Sequence, residues 1–269
     1  MPGATFIRNL KVHINQREVY DSNQLYSYKV YLDTELSYPI AAKDAYFGVA
    51  GYFRDTDLSK ANDKRRKPLA ESKAYQTISK LSADIFNQDL YMISNVEIDI
   101  ELALQSDDFM LHQEKEKDKF VLEISDCRLI VKTVDLMDGL SLDIARKLDV
   151  EPARFANQNY IGHKQKNPFF FNHHNGLACT TESNGLSYSM FKTAFCLYVF
   201  QMTNSQEDSP GFELIKEGCT AVNIRFSEPV PPEGVTLIAY GEADGLILID
   251  RPSWQAGFSL VCDLGQVAN

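Results

Sequence analysis

The chain has 269 residues, 44% apolar and 24% charged, and its 27 basic against 37 acidic side chains leave a net charge of −10. That length suits one large all-β domain or two smaller ones with a sizeable core, and the composition excludes a disordered chain. The acidic balance speaks against a surface built to neutralise nucleic-acid phosphates, and no apolar run reaches the roughly 18 residues of a membrane-spanning helix. The opening MPGATFIRNL lacks a charged stretch followed by an apolar core, so no secretory signal is expected. Cys127, Cys179, Cys196, Cys219 and Cys262 are odd in number and widely spaced, which reads as buried thiols in a reducing, intracellular compartment.

In chain order, Leu10, Val12 and Ile14 alternate with Lys11, His13 and Asn15, predicting a strand with one apolar face that ends at Asp21, Ser22 and Asn23. Leu25, Tyr28, Leu32 and Leu36 then recur at steps of three and four behind a capping Ser22 or Asn23. They predict a helix, and Pro39 stops it. A rival strand through Tyr26, Tyr28, Val30 and Leu32 is broken by Tyr31. Tyr46 to Phe53 reads as a strand interrupted by Gly48 and Gly51, and the charged stretch Arg54 to Lys73 as an exposed loop.

Val96, Ile98, Ile100, Leu102 and Leu104 give the cleanest alternation in the chain. The intervening Glu97, Asp99 and Glu101 must face solvent or a basic neighbour across a subunit contact. A charged hairpin tip at His112 to Lys119 leads into one or two strands over Phe120 to Val134, bent at Ser125 to Cys127. Leu140, Ile144 and Leu148 predict a helix over Asp138 to Leu148, capped by Asp138 or Ser141. A polar region with Pro152 follows, and Asn167-Pro168 opens the run Phe169 to Phe171. Further strands are expected at Phe195 to Met202, Cys219 to Phe226 and Val235 to Ile249, with a turn at Pro229 to Gly234.

No residue set points to chemistry. His163, His173, His174 and Cys179 are near one another in sequence, but adjacent histidines on a strand face opposite sides, so a metal site is not expected. The acid pairs Asp55/Asp57, Asp107/Asp108 and Glu207/Asp208 lie in charged loops without a cleft to raise one pKa. Ser187 and Ser189 flank Tyr188 without the glycines of a hydrolase elbow. Lys60, Lys64, Arg65, Arg66, Lys67 and Lys73 form a basic cluster with no interleaved aromatics, which reads as a solvated loop. Catalytic, cofactor-binding and metal residues are therefore none. Thirteen tyrosines and sixteen phenylalanines against one tryptophan carry more information, because tyrosine buries area while keeping a polar tip, as subunit interfaces require.

The blocks LYSYKVYLDTELSY, AKDAYFG, ADIFNQDLYMISNVEIDIELALQSDDFML, ISDCRLIVKTVDL, HKQKNPFFFNHHN and GFELIKEGCTAVNIRFSEPVPPEGVTLIAYGEADGLILID occur in that order between Phe6 and Asp250. As a series they resemble the major capsid proteins of Polinton/Maverick-type mobile elements and their adenovirus-like viral relatives. The resemblance implies an all-β, mainly antiparallel fold with short connecting helices, arranged as tandem jelly-roll β-sandwiches. Residues 1–136 would form the first roll and 137–269 the second. Tyr26, Tyr28, Tyr31, Leu32 and Leu36 would belong to the helix of the first roll, and Asn167, Pro168, Phe169 and Phe171 to the second, all as scaffold. Family members carry strands ahead of the segment matching Phe6 and more chain between Arg146 and His163. The first roll is thus expected to lack N-terminal strands and the second to be shortened. The implied function is a structural capsid protein that forms homotrimeric capsomers of an icosahedral shell, or a relic of one. Its partners would be itself and other capsid proteins, with no membrane and nucleic acid only indirectly, in a virion or inside the cell. The alternative is a lectin-like jelly-roll binding module without catalysis.

Overall fold

The computed structural model describes residues 2–53, 64–111, 120–159, 223–232, 234–240 and 243–249, with short pieces at 185–187, 190–191 and 196–198. After one helical turn, α1 (Pro2–Thr5), the alternation around Val12 forms β1 (Ile7–Ile14), which is the central strand of an antiparallel sheet of order β2-β1-β3. Leu10, Val12 and Ile14 are completely buried on one face. At about 1.5–3 kcal/mol for each such side chain, this row is a large part of the driving force for the sheet.

β2 (Arg17–Asp21) returns immediately, with Ile14 opposite Arg17 and a register shift between Val12 and His13. The turn is two residues, Asn15 and Gln16, with φ of 47° and 66°. Two positive φ values in a two-residue hairpin match the right-handed twist of the strands. Asn15 also fixes the third strand: its N–H donates to the Glu97 carbonyl at 2.9 Å and its Oδ1 accepts the Glu97 N–H at 3.0 Å. β3 (Ile98–Leu104) then runs antiparallel to β1, with Leu10 opposite Leu102, Val12 opposite Ile100 and Ile14 opposite Ile98.

A second sheet has two strands, β4 (Ala153–Asn159) and β5 (Ala243–Ile249), antiparallel with Phe155 opposite Ile247. One buried cluster joins Ile7, Leu10, Val12, Ile14, Tyr26 and Val30 to Ile85 and to Phe155, Ile247 and Ile249. Across the sheet lies α2 (Tyr26–Ser37), followed by α3 (Ile40–Ala45) and a 3-10 turn at Phe47–Ala50.

The expected all-β tandem jelly roll is not what forms. The described residues mix helices with two small antiparallel sheets of three and two strands. Phe120 to Val134 contains no strand, although its composition suits one, because nothing in the described residues hydrogen-bonds its backbone into a ladder. Tyr46 to Phe53 is helical rather than extended: Gly51, at φ 76°, closes the 3-10 turn by donating its N–H to the Gly48 and Phe47 carbonyls. Of the three later strands, the only one found within the described residues is at Ala243–Ile249; residues 196–198, 223–226 and 235–240 contain no strand. The helix at Asp138–Leu148 forms as expected, but Met137 occupies its cap position and no side chain caps it.

The helix over residues 25–38 also forms, with its inner face rotated from the expected one. Leu25 and Tyr31 are exposed and Leu32 and Leu36 only half-buried, whereas Tyr26, Ser27, Lys29, Val30, Thr34 and Glu35 face inward. Neither Ser22 nor Asn23 caps it. Ser22 instead binds β1, accepting the Leu10 N–H at 2.8 Å and donating to Asn9 Oδ1 at 2.8 Å.

Because Leu10 is completely buried on β1, Leu10→Ala is expected to cost about 2–5 kcal/mol in urea unfolding. Gln16→Gly, which removes a side chain from a positive φ, is expected to raise stability by roughly 1 kcal/mol in the same assay.

Candidate functional site

Pro39, extended at φ −68° and ψ 157°, separates α2 from α3 and turns Lys43 back against the end of α2. The Lys43 side chain is 1% exposed, and its Nζ donates to Glu35 Oε2 and to the Glu35 carbonyl, each at 2.9 Å. The other oxygen of Glu35, Oε1, accepts the Tyr52 hydroxyl at 2.7 Å. A buried carboxylate and a buried ammonium thus satisfy one another, which is the condition under which either is tolerated.

Tyr52 links this pair to an aromatic cluster above it. Phe47 lies at the centre, edge-to-face with Tyr38 at 4.7 Å, Tyr46 at 5.3 Å and Tyr52 at 6.5 Å between ring centroids. Tyr46 is 65% exposed and Val49 58%, and Tyr38 is exposed beside them. The result is an outward-facing platform of rings and one branched aliphatic, with its base held by an ion pair. Such a surface offers large, rigid contact area with hydroxyl tips, the chemistry enriched at protein interfaces.

A second polar network lies on the inner face of α2. Lys29 Nζ donates to Asp33 Oδ2 at 3.0 Å and to Ser82 Oγ at 3.1 Å, and Ser82 Oγ donates to Asp33 Oδ2 at 2.9 Å. The Ser82 N–H binds the Tyr26 hydroxyl oxygen at 2.8 Å, and Gln105 Nε2 reaches Ser27 Oγ at 2.9 Å. A serine beside a lysine invites a nucleophile reading, yet here the hydroxyl and the ammonium both converge on one carboxylate oxygen. The arrangement ties α2 to the segment around Ser82, and the Tyr240 hydroxyl donates to the other Asp33 oxygen at 3.5 Å. Burial pushes the Tyr26 hydroxyl up to about 12, and burial likewise raises Tyr20, whose hydroxyl has no hydrogen-bond partner among the described residues.

The residues weighed for chemistry in the sequence are not brought together. His163, His173, His174, Cys179, Asn167, Pro168, Phe169 and Phe171 lie outside the described residues, as do Lys60, Asp55, Asp57, Glu207 and Asp208. Within the described residues no group of three or more His, Cys, Asp or Glu is placed to hold a metal ion. Asp107 Oδ1 accepts the Leu122 N–H at 2.9 Å across a fifteen-residue separation, and Ser187 Oγ accepts the Met190 N–H at 3.2 Å in a local turn. In the basic segment Lys64, Arg66 and Lys67 are exposed, Arg65 donates to the Phe53 carbonyl at 2.7 Å, and Lys73 pairs with Glu71 at 3.0 Å. Cys127 and Cys196 are exposed free thiols, contrary to the expectation of burial, and residues 120–134 and 196–198 around them contain no strand. No helix among the described residues is long and apolar enough to cross a membrane. Apolar periodicity does not mark the Lys43–Glu35 pair. A helix ending at a proline, with a glutamate before it and a lysine after it, was the available signal.

The described residues therefore define a mixed helix-and-strand protein with two small antiparallel sheets, an aromatic platform and buried polar networks. Similarity to known proteins adds one finding: an uncharacterized protein of Caenorhabditis elegans, F54H12.2, is 18% identical over 330 aligned positions, covering 91% of this chain and 78% of that protein. No protein-family model matches, and no solved structure matches.

Breaking the buried pair with Lys43→Ala strands the Glu35 carboxylate and is expected to cost about 3–5 kcal/mol. Adding Glu35→Leu should recover most of that loss, as a double-mutant cycle by chemical denaturation will measure. Tyr26 titrates at about 12 folded against 10.0 in its ordinary state, so its contribution is fully present below pH 10. The unfolded chain loses that proton first, so stability should fall as pH rises from about 10 to about 12, with a shallower fall in Tyr26→Phe.

Proposed function

We propose that this chain is a structural protein that works by associating with copies of itself, a capsid-type subunit whose first assembly is a homotrimer and which needs no catalytic step. The observation that carries the reading is the platform of exposed Tyr38, Tyr46 and Val49 with half-buried Phe47, fixed from below through Tyr52, Glu35 and Lys43. Aromatic side chains already locked in place lose little freedom on association, so their contact area is converted efficiently into binding. The blocks that build the platform, LYSYKVYLDTELSY and AKDAYFG, are also the first of the ordered series resembling Polinton/Maverick-type capsid proteins. That series supports the kind of assembly, and the platform supports the place of contact. The double jelly roll of those proteins is no part of the proposal.

A lectin-like module would use the same rings to stack on sugars and would remain small. Sedimentation velocity and light scattering on the purified chain separate the two, with trimers and larger particles expected, and negative-stain images of closed or partial shells. Tyr46→Ser combined with Val49→Asp should weaken association by about tenfold or more, since one interface hot spot contributes roughly 2 kcal/mol. Circular dichroism should be unchanged, because both side chains point away from the core. A chain that stays monomeric at every concentration and binds glycans would sink the assembly reading.

A further inference from the structure

Among the described residues β3 is an edge strand, and its surface is unusual. Its inner row, Ile98, Leu102 and Leu104, remains well exposed although the same row on β1 is completely buried. Its outer row carries Asp99 and Glu101. Exposed edges with apolar rows invite pairing with any other chain, and natural proteins cover or blunt them.

The chain itself holds a segment suited to that edge. Residues 128–134, Arg-Leu-Ile-Val-Lys-Thr-Val, are exposed and lie outside any helix or strand, and no backbone hydrogen bond joins them to β3 or to any other described segment. The segment is anchored at both ends of β3. Upstream of it the Leu122 N–H binds Asp107 Oδ1 at 2.9 Å, just past the end of the strand, and within it Lys132 Nζ lies 5.7 Å from the Tyr91 ring, before the strand begins. The segment therefore passes β3 in the antiparallel sense.

We propose that residues 128–134 form a strap that closes onto β3 as the fourth strand of the sheet, guarding the edge against other chains. With Leu122 set opposite Asp107, the alignment their contact favours, three consequences follow. Val131 falls opposite Ile98 and Leu129 opposite Ile100, so apolar rows coincide. Arg128 falls opposite Glu101 and Lys132 opposite Glu97, so both cations of the strap meet acids. Across the sheet, Asp21 already pairs with Lys11 and Lys11 with Glu101; adding Arg128 makes one row of four alternating charges. Opposite charges directly across an antiparallel pair stabilise it, and like charges destabilise it. A register displaced by one residue turns Leu129 and Val131 to the polar face, so the match is specific. The present partners of these groups are Asp126 for Arg128 at 2.9 Å and His13 for Glu101 at 4.0 Å, both at the surface and open to exchange.

The strap is independent of whether the chain assembles, and hydrogen–deuterium exchange on the full chain tests it. Amides within 128–134 should exchange about tenfold or more slowly than in the E97K/E101K variant, in which the strap is repelled. Adding R128E/K132E to that same chain should restore the slow exchange, and the repelled variant should form larger, irregular species by light scattering. Fast exchange throughout 128–134 in the unaltered protein overturns the strap, whether or not any variant folds. So does failure of the four-substitution chain to restore protection, or restoration only when E97K/E101K chains are mixed with R128E/K132E chains, since the strap would then belong to a second copy. A strap that closes in a chain that never assembles removes the assembly reading and leaves this one standing.

Discussion

The structure depends on how α2 buries polar groups. Its inner face carries Ser27, Lys29, Thr34 and Glu35 beside Tyr26 and Val30, a surface that would be costly against an apolar sheet without partners. Thr34 solves the problem within the helix by donating to the Val30 carbonyl at 2.7 Å. The others draw partners from elsewhere: Lys43 and Tyr52 for Glu35, Ser82 for Lys29 and Tyr26, Gln105 for Ser27. Each requirement pulls a distant part of the chain into a fixed place, so the polar groups act as cross-links between residues up to 78 positions apart. Dispersion and burial drive the collapse of β1, but these bonds decide which segments surround it.

The sheet follows the same logic on its other side. The outer row of β1, Lys11 and His13, is flanked by Glu18 and Asp21 on β2 and by Asp99 and Glu101 on β3. Lys11 bonds both Asp21 at 2.7 Å and Glu18 at 2.8 Å, which holds its ammonium more firmly protonated than an ordinary lysine. For Asp21 partial burial works in the opposite direction, but the bonds from Lys11 and the Asn23 N–H prevail and keep the carboxyl below its usual range. These are exposed contacts whose energetic weight is small. They give Lys11 an acid on each side, Asp21 on β2 and Glu101 on β3.

What could be read from the sequence was local. The alternation of Leu10, Val12 and Ile14 located β1, that of Ile98 to Leu104 located β3, and the spacing of Leu140, Ile144 and Leu148 located a helix. β2 escaped because its hairpin turn is Asn15-Gln16, without the glycine that usually marks two positive φ values. β4 escaped because Ala153–Asn159 is mostly polar and is a strand only through its pairing with β5. The inner face of α2 was misread because the periodic rule counts apolar side chains, whereas Lys29 and Glu35 are inside for reasons of partnership. Propensity likewise proposed strands over Phe120 to Val134, and propensity cannot supply a neighbouring backbone. The aromatic platform was half legible: the crowding of tyrosines was visible, but the turn at Gly51 that gathers Tyr46, Phe47 and Tyr52 was not.

A buried ion pair is a poor means of adding stability, because two apolar side chains of similar volume commonly serve as well. Its use beneath an exposed aromatic cluster is better explained by geometry. An apolar filler at positions 35 and 43 would allow α3 to slide or rotate on α2, whereas Lys43 must reach both the carboxylate and the carbonyl of Glu35, and Tyr52 must reach the remaining oxygen. Three bonds of fixed direction leave one position for Phe47 and hence one arrangement of the rings around it. For a surface that repeats the same contact in many copies, a small angular error at each joint accumulates around a ring or shell. Under the proposed assembly, angular precision of the platform matters more than the few kcal/mol that an all-apolar joint would add.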